Sequence, residues 1–99
     1  MAYNLLIGLT VTDEAGYQAY RDGMRPILEQ YGGGFSYDFR VSDVLQSQAE
    51  HEINRVFVIH FPDKSAREAF FSDPAYKEVR SQHFEPAVAG STIIGVFED

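Results

Sequence analysis

The stretch Gly32-Gly33-Gly34-Phe35-Ser36-Tyr37-Asp38-Phe39-Arg40-Val41 has the pattern of a helix end followed by a strand. Glycine adopts the left-handed conformation that ends a helix without steric cost, so the three glycines predict a helix end. After them, apolar and polar residues alternate with the two-residue period of a β-strand. The apolar face is predicted to consist of Phe35, Tyr37, Phe39 and Val41. The stretch therefore predicts a strand that directly follows a helix.

Upstream, the chain has the pattern of a strand followed by that helix. β-forming residues predominate over residues 3–11, where apolar side chains recur at every second position. Thr12 or Asp13 can cap the helix by accepting hydrogen bonds from amides of its first turn. Pro26 lacks an amide hydrogen, so we expect a kink or a break near residues 23–25. The core-facing residues of the helix recur at helical spacing: Tyr20, Met24, Ile27 or Leu28, and Tyr31.

Downstream, a third strand precedes a second helical region. This strand is predicted over residues 53–61, and Val44 with Leu45 can extend the second strand past a bulge. Asp63 or Ser65 starts a short helix. A further helix starts at Asp73-Pro74, because aspartate caps helices well and proline suits the first helical position.

A last strand over residues 92–97 completes the order strand, helix, two strands, helix, strand. This order is the ferredoxin-like split βαβ arrangement of an α+β domain, with a four-stranded antiparallel sheet and both helices on one face. The chain has 99 residues, which is enough for one core. We therefore predict a single domain over residues 1–99.

The predicted helices leave one face of the sheet uncovered. The first and third strands carry apolar residues on both faces, so a lone domain would expose apolar surface, which favours association. We therefore predict a homodimer in which two sheets pack face to face. His60, Asp38 and Arg40 would then be interface groups. The alternative is a half-polar face in contact with water, which antiparallel sheets tolerate.

Composition restricts the partners of this domain. The net charge is −7 and there is no cysteine. Nucleic acid and anionic membrane surfaces would be repelled, and no apolar run approaches the length of a transmembrane segment. The absence of cysteine excludes disulfides and cysteine-based zinc sites and fits a reducing compartment. Residues 1–7 lack the pattern of a signal peptide, so we expect a cytoplasmic location.

Two segments resemble domain-of-unknown-function family 1330. The first is Tyr20-Arg21-Asp22-Gly23-Met24-Arg25-Pro26-Ile27-Leu28-Glu29-Gln30-Tyr31-Gly32-Gly33, with a helical proline and a Tyr-Gly-Gly ending. The second runs Phe61-Pro62-Asp63-Lys64-Ser65-Ala66 and continues at Phe71-Ser72-Asp73-Pro74-Ala75-Tyr76-Lys77-Glu78-Val79-Arg80. The resemblance implies the dimeric α/β-barrel superfamily, in which two ferredoxin-like sheets pack into a barrel. That superfamily includes cofactor-independent monooxygenases, isomerases and haem proteins, whereas the family itself has no established activity.

His83 is the candidate catalytic residue. It shares a helical face with Tyr76 and Arg80, and a neutral imidazole there could act as a base near neutral pH. Tyr76 and Arg80 are predicted ligand-binding residues on that face. The alternative is a partly buried structural histidine bonded to a carbonyl or to Glu85.

The first helix carries a second group of candidates. Arg21 and Arg25 are four residues apart and project from one face, where two guanidiniums can bind an anionic ligand. Tyr17 and Tyr20 lie beside them and are predicted to contact the same ligand. The alternative is that the arginines form solvated ion pairs with acidic residues of this acidic chain.

These candidates support three functional hypotheses. The first is a small-molecule binder or cofactor-independent enzyme, monooxygenase- or isomerase-like by analogy with the superfamily, with Arg25 and His83 as polar groups of its pocket. That pocket would lie between sheet and helices, lined by Tyr17, Tyr20, Phe39, Phe57 and Tyr76. The second is a non-catalytic structural or stress-associated homodimer, and the third is a haem binder that uses His83 or His60. No cofactor is predicted for the first hypothesis, and the three histidines lack the spacing of metal ligands.

Overall fold

Four antiparallel strands form one sheet in the order β2-β3-β1-β4 in this computed structural model, which describes residues 2–99. The strands are β1 (Tyr3–Val11), β2 (Gly34–Arg40), β3 (Arg55–Phe61) and β4 (Val88–Glu98). β1 pairs with β3 on one side and with β4 on the other, and β2 is an edge strand beside β3. The predicted ferredoxin-like α+β fold is confirmed.

Three of the five helical segments begin after an aspartate that caps them. The segments are α1 (Glu14–Gln30), α2 (Lys64–Ser72), α3 (Pro74–Val79), a π-helical turn (Arg80–Phe84) and the single turn α4 (Glu85–Ala87). The side chains of Asp13, Asp63 and Asp73 each accept a hydrogen bond from an amide in the first turn of α1, α2 and α3. Within residues 2–99, no helix has the length and apolar character needed to cross a membrane.

The core lies between these helices and one face of the sheet. It joins alternate residues of β1 and β3 to the inner faces of α1, α2 and α3. Eight large side chains in it are almost wholly enclosed: Tyr17, Phe61, Phe70, Leu5, Leu9, Met24, Leu28 and Ile59.

The predicted break in the first helix is wrong, because α1 continues through Pro26 to Gln30. A proline at this position cannot donate to the carbonyl of Asp22, four residues earlier. Both residues are exposed, so water can satisfy that carbonyl and the helix need not break there. Gly32 then ends the helix with a φ of +75°, as the glycine run predicts.

The predicted face of β2 is wrong for most of its length, because a bulge shifts its register. Phe35 pairs with Ile59, whereas Tyr37 pairs with the adjacent Val58, so Ser36 is the extra residue. Side chains after a bulge change faces. Phe35 therefore packs on the helix side against Phe57, whereas Tyr37 and Phe39 lie on the opposite face.

The same bulge separates the predicted interface groups. Asp38 pairs with Phe57 on the helix side, whereas His60 pairs with Asn4 on the uncovered face and bonds to Ser36, with 2.7 Å between Nδ1 and Oγ. The prediction that Asp38, Arg40 and His60 share one face is therefore wrong. Asp38 and Arg40 instead face the start of α1.

The uncovered face of the sheet, called the open face below, is apolar over most of its area. Leu6 and Val58 pair at its centre, and Tyr37 and Phe39 stack on its edge with ring centroids 5.9 Å apart. Tyr37 is 60% exposed, Phe39 55% and Phe97 47%. Apolar surface of this kind favours association in water.

Residues 41–54 form a loop that covers one end of the open face. Neither Val44 nor Leu45 extends β2, which ends at Arg40. The loop is anchored by His51, whose ring nitrogens lie 2.8 Å from the Thr10 hydroxyl and 2.7 Å from the Thr92 hydroxyl. Between the loop and the sheet lies a largely apolar groove of about 830 Å³.

Candidate functional site

The aromatic side chains of α1 and α3 meet next to a cleft of about 370 Å³ on the helix side. We call it the tyrosine cleft, and it is lined by Phe71, Tyr76, Lys77, Arg80 and Glu85. It therefore contains an apolar wall, a phenol, two cations and one carboxylate. Its size lies at the lower end of the range for small-molecule sites.

A π-helical turn positions Arg80 beside this cleft. The turn spans Arg80–Phe84 and joins α3 to α4, and such turns are frequent at functional sites because they change the direction of side chains within a helix. The guanidinium of Arg80 lies 4.9 Å from the ring centroid of Phe84, and its Nη1 lies 3.3 Å from a carboxylate oxygen of Glu85. Both contacts hold Arg80 at the mouth of the cleft.

At the inner wall of the cleft, Tyr76 forms a buried pair of phenols with Tyr20, which lies behind it. Their hydroxyl oxygens are 2.9 Å apart, and each side chain is 4% exposed. Burial raises the pKa of Tyr20, and the neighbouring Tyr76 hydroxyl raises it further. Burial also raises the pKa of Tyr76. Both phenols therefore stay protonated at neutral pH and act as hydrogen-bond donors and acceptors rather than as bases.

These raised pKa values predict a loss of stability in alkali. Above the ordinary tyrosine pKa of 10.0, the unfolded chain releases protons that folded Tyr20 retains, so the free energy of unfolding falls as pH rises. For each such tyrosine the expected slope is about 0.7 kcal/mol per pH unit at pH 10 and approaches about 1.4 kcal/mol per pH unit above pH 11. Urea unfolding at about pH 9, 10 and 11 measures this slope of the free energy of unfolding against pH. Tyr20→Phe should reduce the slope by the contribution of one tyrosine. An unchanged slope in Tyr20→Phe would show that Tyr20 ionises equally in both states.

A second group of polar side chains surrounds Asp38 between α1 and the ends of β2 and β3. Arg55 donates from Nε to Asp38 at 2.9 Å, and Arg21 Nη2 lies 3.0 Å from the other oxygen of the same carboxylate. Glu14 accepts from Arg55 at 3.2 Å and lies 3.7 Å from Arg40. Arg55 is only 7% exposed, and its hydrogen bond to Asp38 raises the pKa of its guanidinium.

Tyr17 connects this group to the tyrosine pair. Its ring lies 4.8 Å below the Arg55 guanidinium and 5.8 Å from the ring of Tyr20. Burial raises the pKa of Tyr17, and the charge of Asp38 raises it further. The Tyr17 hydroxyl and the Arg21 Nε are both buried and have no hydrogen-bond partner among residues 2–99. Leaving such a group unpaired costs about 1–3 kcal/mol.

The predicted site residues thus fall into two places. Tyr76 and Arg80 line the tyrosine cleft, with Tyr20 directly behind it. Tyr17 and Arg21 lie near Asp38, and Arg25 is exposed with its guanidinium 5.9 Å from the ring of Phe35. Phe39 does not join the pocket between sheet and helices predicted for it, because the β2 bulge turns it to the open face.

His83 lies in the π-helical turn and is half-buried. Glu85, which could have bonded to it, pairs with Arg80 instead. The residues that line the tyrosine cleft do not include His83. A catalytic role for His83 stays a prediction.

Two residues near these groups were missed by sequence reasoning. Lys77 adds a second cation to the cleft, but an exposed lysine has no distinguishing pattern. Arg55 does have one: it precedes Phe57, Ile59 and Phe61 on the apolar face of β3. A charge in phase with buried residues indicates a buried ion pair, since such residues are rarely enclosed unless paired.

Residues 2–99 contain no group of three or more histidine or acidic side chains that could hold a metal ion.

Comparison with solved structures finds this fold in proteins of low sequence identity. A protein of unknown function from Rhodopseudomonas palustris has a TM-score of 0.80 at 20% identity, covering 99% of this chain and 82% of that one. A dimeric ferredoxin-like protein of unknown function from Jannaschia has a TM-score of 0.62 at 14% identity, and the match covers 100% of both chains. SnoaB, a cofactor-independent oxygenase from Streptomyces nogalater, has a TM-score of 0.66 at 13% identity, covering 99% and 92%.

Comparison with protein families gives a more specific result. No curated protein sequence matches this chain significantly. The family model described as "Domain of unknown function (DUF1330)" matches residues 2–96, which is nearly the whole chain. The protein therefore belongs to the DUF1330 family.

Proposed function

We propose that this protein binds a small organic molecule with an anionic or carbonyl oxygen in the tyrosine cleft. The observation that carries the proposal is the cleft itself, a space of about 370 Å³ that is lined by the aromatic residues Phe71 and Tyr76 and by the cations Lys77 and Arg80. A concave site with an apolar wall and a few convergent polar groups is the usual form of a small-molecule site.

The charges of the cleft favour an acidic or polarised ligand. Two cations and one carboxylate leave a local excess of positive charge in a chain whose net charge is −7. Arg80 can bind a carboxylate through two parallel hydrogen bonds. Phe71, which packs against Tyr76 with ring centroids 5.5 Å apart, offers an aromatic surface for a planar ligand.

If the protein is an enzyme, the cleft supports reactions that polarise the substrate's own carbonyl or phenol. A protonated phenol and a guanidinium can stabilise negative charge that develops on oxygen. SnoaB has this fold and is a cofactor-independent oxygenase, so the fold accommodates such chemistry, although a shared fold does not transfer function. His83, one helical turn after Arg80, is not among the residues that line the cleft, so its role as a base stays a separate prediction.

We also propose that the protein is a homodimer formed through the open face. The molecule measures 33 × 31 × 18 Å, so the sheet face is broad enough for the roughly 800 Å² per partner that stable interfaces bury. The exposed aromatics Tyr37, Phe39 and Phe97 lie on that face. A matching protein from Jannaschia is described as dimeric.

Thermal unfolding in the presence of benzoate, 4-hydroxybenzoate and acetate tests the ligand proposal. A ligand at a hundred times its Kd should stabilise the folded protein by about 2.7 kcal/mol. We expect Arg80→Ala to weaken binding at least tenfold, because a charge-assisted hydrogen bond contributes about 1.5–3 kcal/mol. Lys64→Ala, which removes an exposed cation of α2 outside the cleft, is the control.

Two outcomes would contradict the ligand proposal. Equal affinity in the wild type and in Arg80→Ala would place the ligand elsewhere. The absence of stabilisation by the whole series would favour the non-catalytic homodimer.

The haem alternative requires a pocket beside a histidine, and the cleft lining includes neither His83 nor His60. The cleft therefore does not favour haem binding.

A further inference from the structure

A second cavity lies on the other side of the sheet from the tyrosine cleft. It is the groove of about 830 Å³ between the 41–54 loop and the open face, and we call it the loop groove. Its volume is within the range of sites that enclose a small organic molecule. Among residues 2–99, those that line it do not include Tyr37, Phe39 or Phe97, the exposed aromatics of the proposed dimer interface. Neither function proposed above therefore explains the loop groove.

Glycines in the sheet let the loop approach the open face closely. A Cβ atom at Gly8 of β1 would lie 2.9 Å from Cδ1 of Ile53 and 3.1 Å from Cδ1 of Ile94, so both isoleucines pack over this glycine. A Cβ atom at Gly90 of β4 would lie 2.5 Å from Cγ of His51, so a larger residue there would displace the ring. The floor of the loop groove is therefore a built part of the fold.

Hydrogen bonds hold the end of the loop on the sheet. His51 lies between the hydroxyls of Thr10 and Thr92, which bond to its two ring nitrogens. The side chain of Asn54 accepts from the Val11 amide at 2.8 Å and donates to the Val11 carbonyl at 2.9 Å. These contacts fix the end of the loop before a ligand arrives, which lowers the entropic cost of binding.

The charge of the loop groove is opposite to that of the tyrosine cleft. Of the lining residues in the described range 2–99, Asp43 alone is charged, and within that range it forms no salt bridge. The 41–54 segment contains two more carboxylates, Glu50 and Glu52, and neither lysine nor arginine. An apolar groove in such surroundings repels anions and attracts an organic cation that has a large apolar part.

We propose that the loop groove binds a hydrophobic organic amine, such as an arylalkyl ammonium ion. Its apolar part packs on the lining residues Ile53, Val56 and Ile94, and its ammonium group pairs with the carboxylate of Asp43. Because Asp43 is exposed, the ammonium group stays partly hydrated and loses little solvation energy on binding. This site does not depend on the tyrosine cleft, and its ligand has the opposite charge.

Methyl NMR spectra with three ligands of different charge test this proposal: naphthylmethylamine is the cation, naphthylmethanol the neutral ligand and naphthoate the anion. The isoleucine methyl groups divide into those of the groove lining, Ile53, Ile93 and Ile94, and those of the core, Ile7, Ile27 and Ile59. We expect naphthylmethylamine to shift the groove signals saturably and to leave the core signals in place. It should bind at least about fivefold more tightly than naphthoate, because repulsion by Asp43 replaces attraction.

Asp43→Asn tests whether this carboxylate attracts the amine. It should weaken the binding of naphthylmethylamine about two- to fivefold, the range of a partly solvated ion pair, and leave naphthylmethanol unaffected. Glu68→Gln, which removes an exposed carboxylate of α2 outside the groove, is the control and should change neither affinity.

Three outcomes would overturn the proposal. The first is equal binding of the amine and naphthoate at the groove signals, and the second is an equal effect of Asp43→Asn and Glu68→Gln. The third is a set of groove signals that none of the three ligands moves, which would mean that the loop itself or a second copy of the chain fills the groove. Binding of naphthoate in the tyrosine cleft does not affect these results, since only the groove signals are followed.

Discussion

Asp38→Ala is expected to lower the free energy of unfolding by about 3–5 kcal/mol, the cost of removing one partner from a buried ion pair. Asp38 is the carboxylate shared by Arg55 and Arg21. Without it, Arg55 retains only the half-exposed Glu14, and Arg21 loses its ion-pair partner. Their positive charges then face one another in a region largely closed to water.

Urea unfolding measured beside a matched variant tests this result. Asp22→Ala removes an exposed carboxylate from the same region, where Asp22 accepts a hydrogen bond from Gln18, and should change stability by less than about 0.5 kcal/mol. The double variant Asp38→Leu with Arg55→Met should recover much of the loss. It replaces both partners of the ion pair with apolar residues, so no unpaired charge remains at position 55. If Asp38→Ala costs no more than Asp22→Ala, the ion pairs are solvated and the group is not a buried network.

The local signals in the sequence predicted the order of the elements well. Each aspartate that caps α1, α2 or α3 accepts its hydrogen bond within a few residues of the chain. The helix end at Gly32 depends on the backbone conformation of one residue. Features of this kind are encoded by neighbouring residues, so a single sequence is enough to find them.

The faces of β2 could not be predicted in the same way. The alternation from Phe35 to Val41 is regular, but the bulge at Ser36 depends on how β2 aligns with β3. Register is a property of two strands that are distant in sequence. This one shift moves Asp38 into contact with Arg55 and turns Phe39 outward. It therefore changes the candidate site and the proposed interface together.

The candidate site was predictable only where it depends on spacing along one helix. Tyr17 lies about one helical turn before both Tyr20 and Arg21, and this spacing along α1 was enough to group them. That Tyr20 pairs with Tyr76, while Arg21 pairs with Asp38, depends on how helices and strands pack. Helical periodicity identified the residues, but only tertiary structure divides them between the tyrosine cleft and the group around Asp38.

The two faces of the sheet have different roles in this interpretation. The helix side contains the buried charges and phenols, which suit ligand binding. The open face exposes apolar side chains such as Phe39 and Phe97, which suit association. A substitution among these aromatics should therefore change the oligomeric state without changing the tyrosine cleft.

Phe39→Asp is the substitution expected to affect the proposed dimer most strongly. Phe39 is 55% exposed in the single chain, so the folded monomer should tolerate aspartate. In a face-to-face dimer the same carboxylate is buried among apolar residues near Val56, which pairs with Phe39. Loss of an aromatic anchor residue of an interface costs at least about 2 kcal/mol, which raises the dimer Kd at least about 30-fold.

Light scattering and sedimentation over a range of protein concentrations measure this effect. Val96→Asp is the matched control: Val96 is 47% exposed, but it pairs with Leu5, whose side chain lies in the core on the helix side. We expect the wild type and Val96→Asp to remain dimeric at concentrations where Phe39→Asp is monomeric. A wild type that is monomeric throughout, or equal dissociation of both variants, would mean that the open face is not the interface. The exposed aromatics would then have to be explained by contact with another molecule.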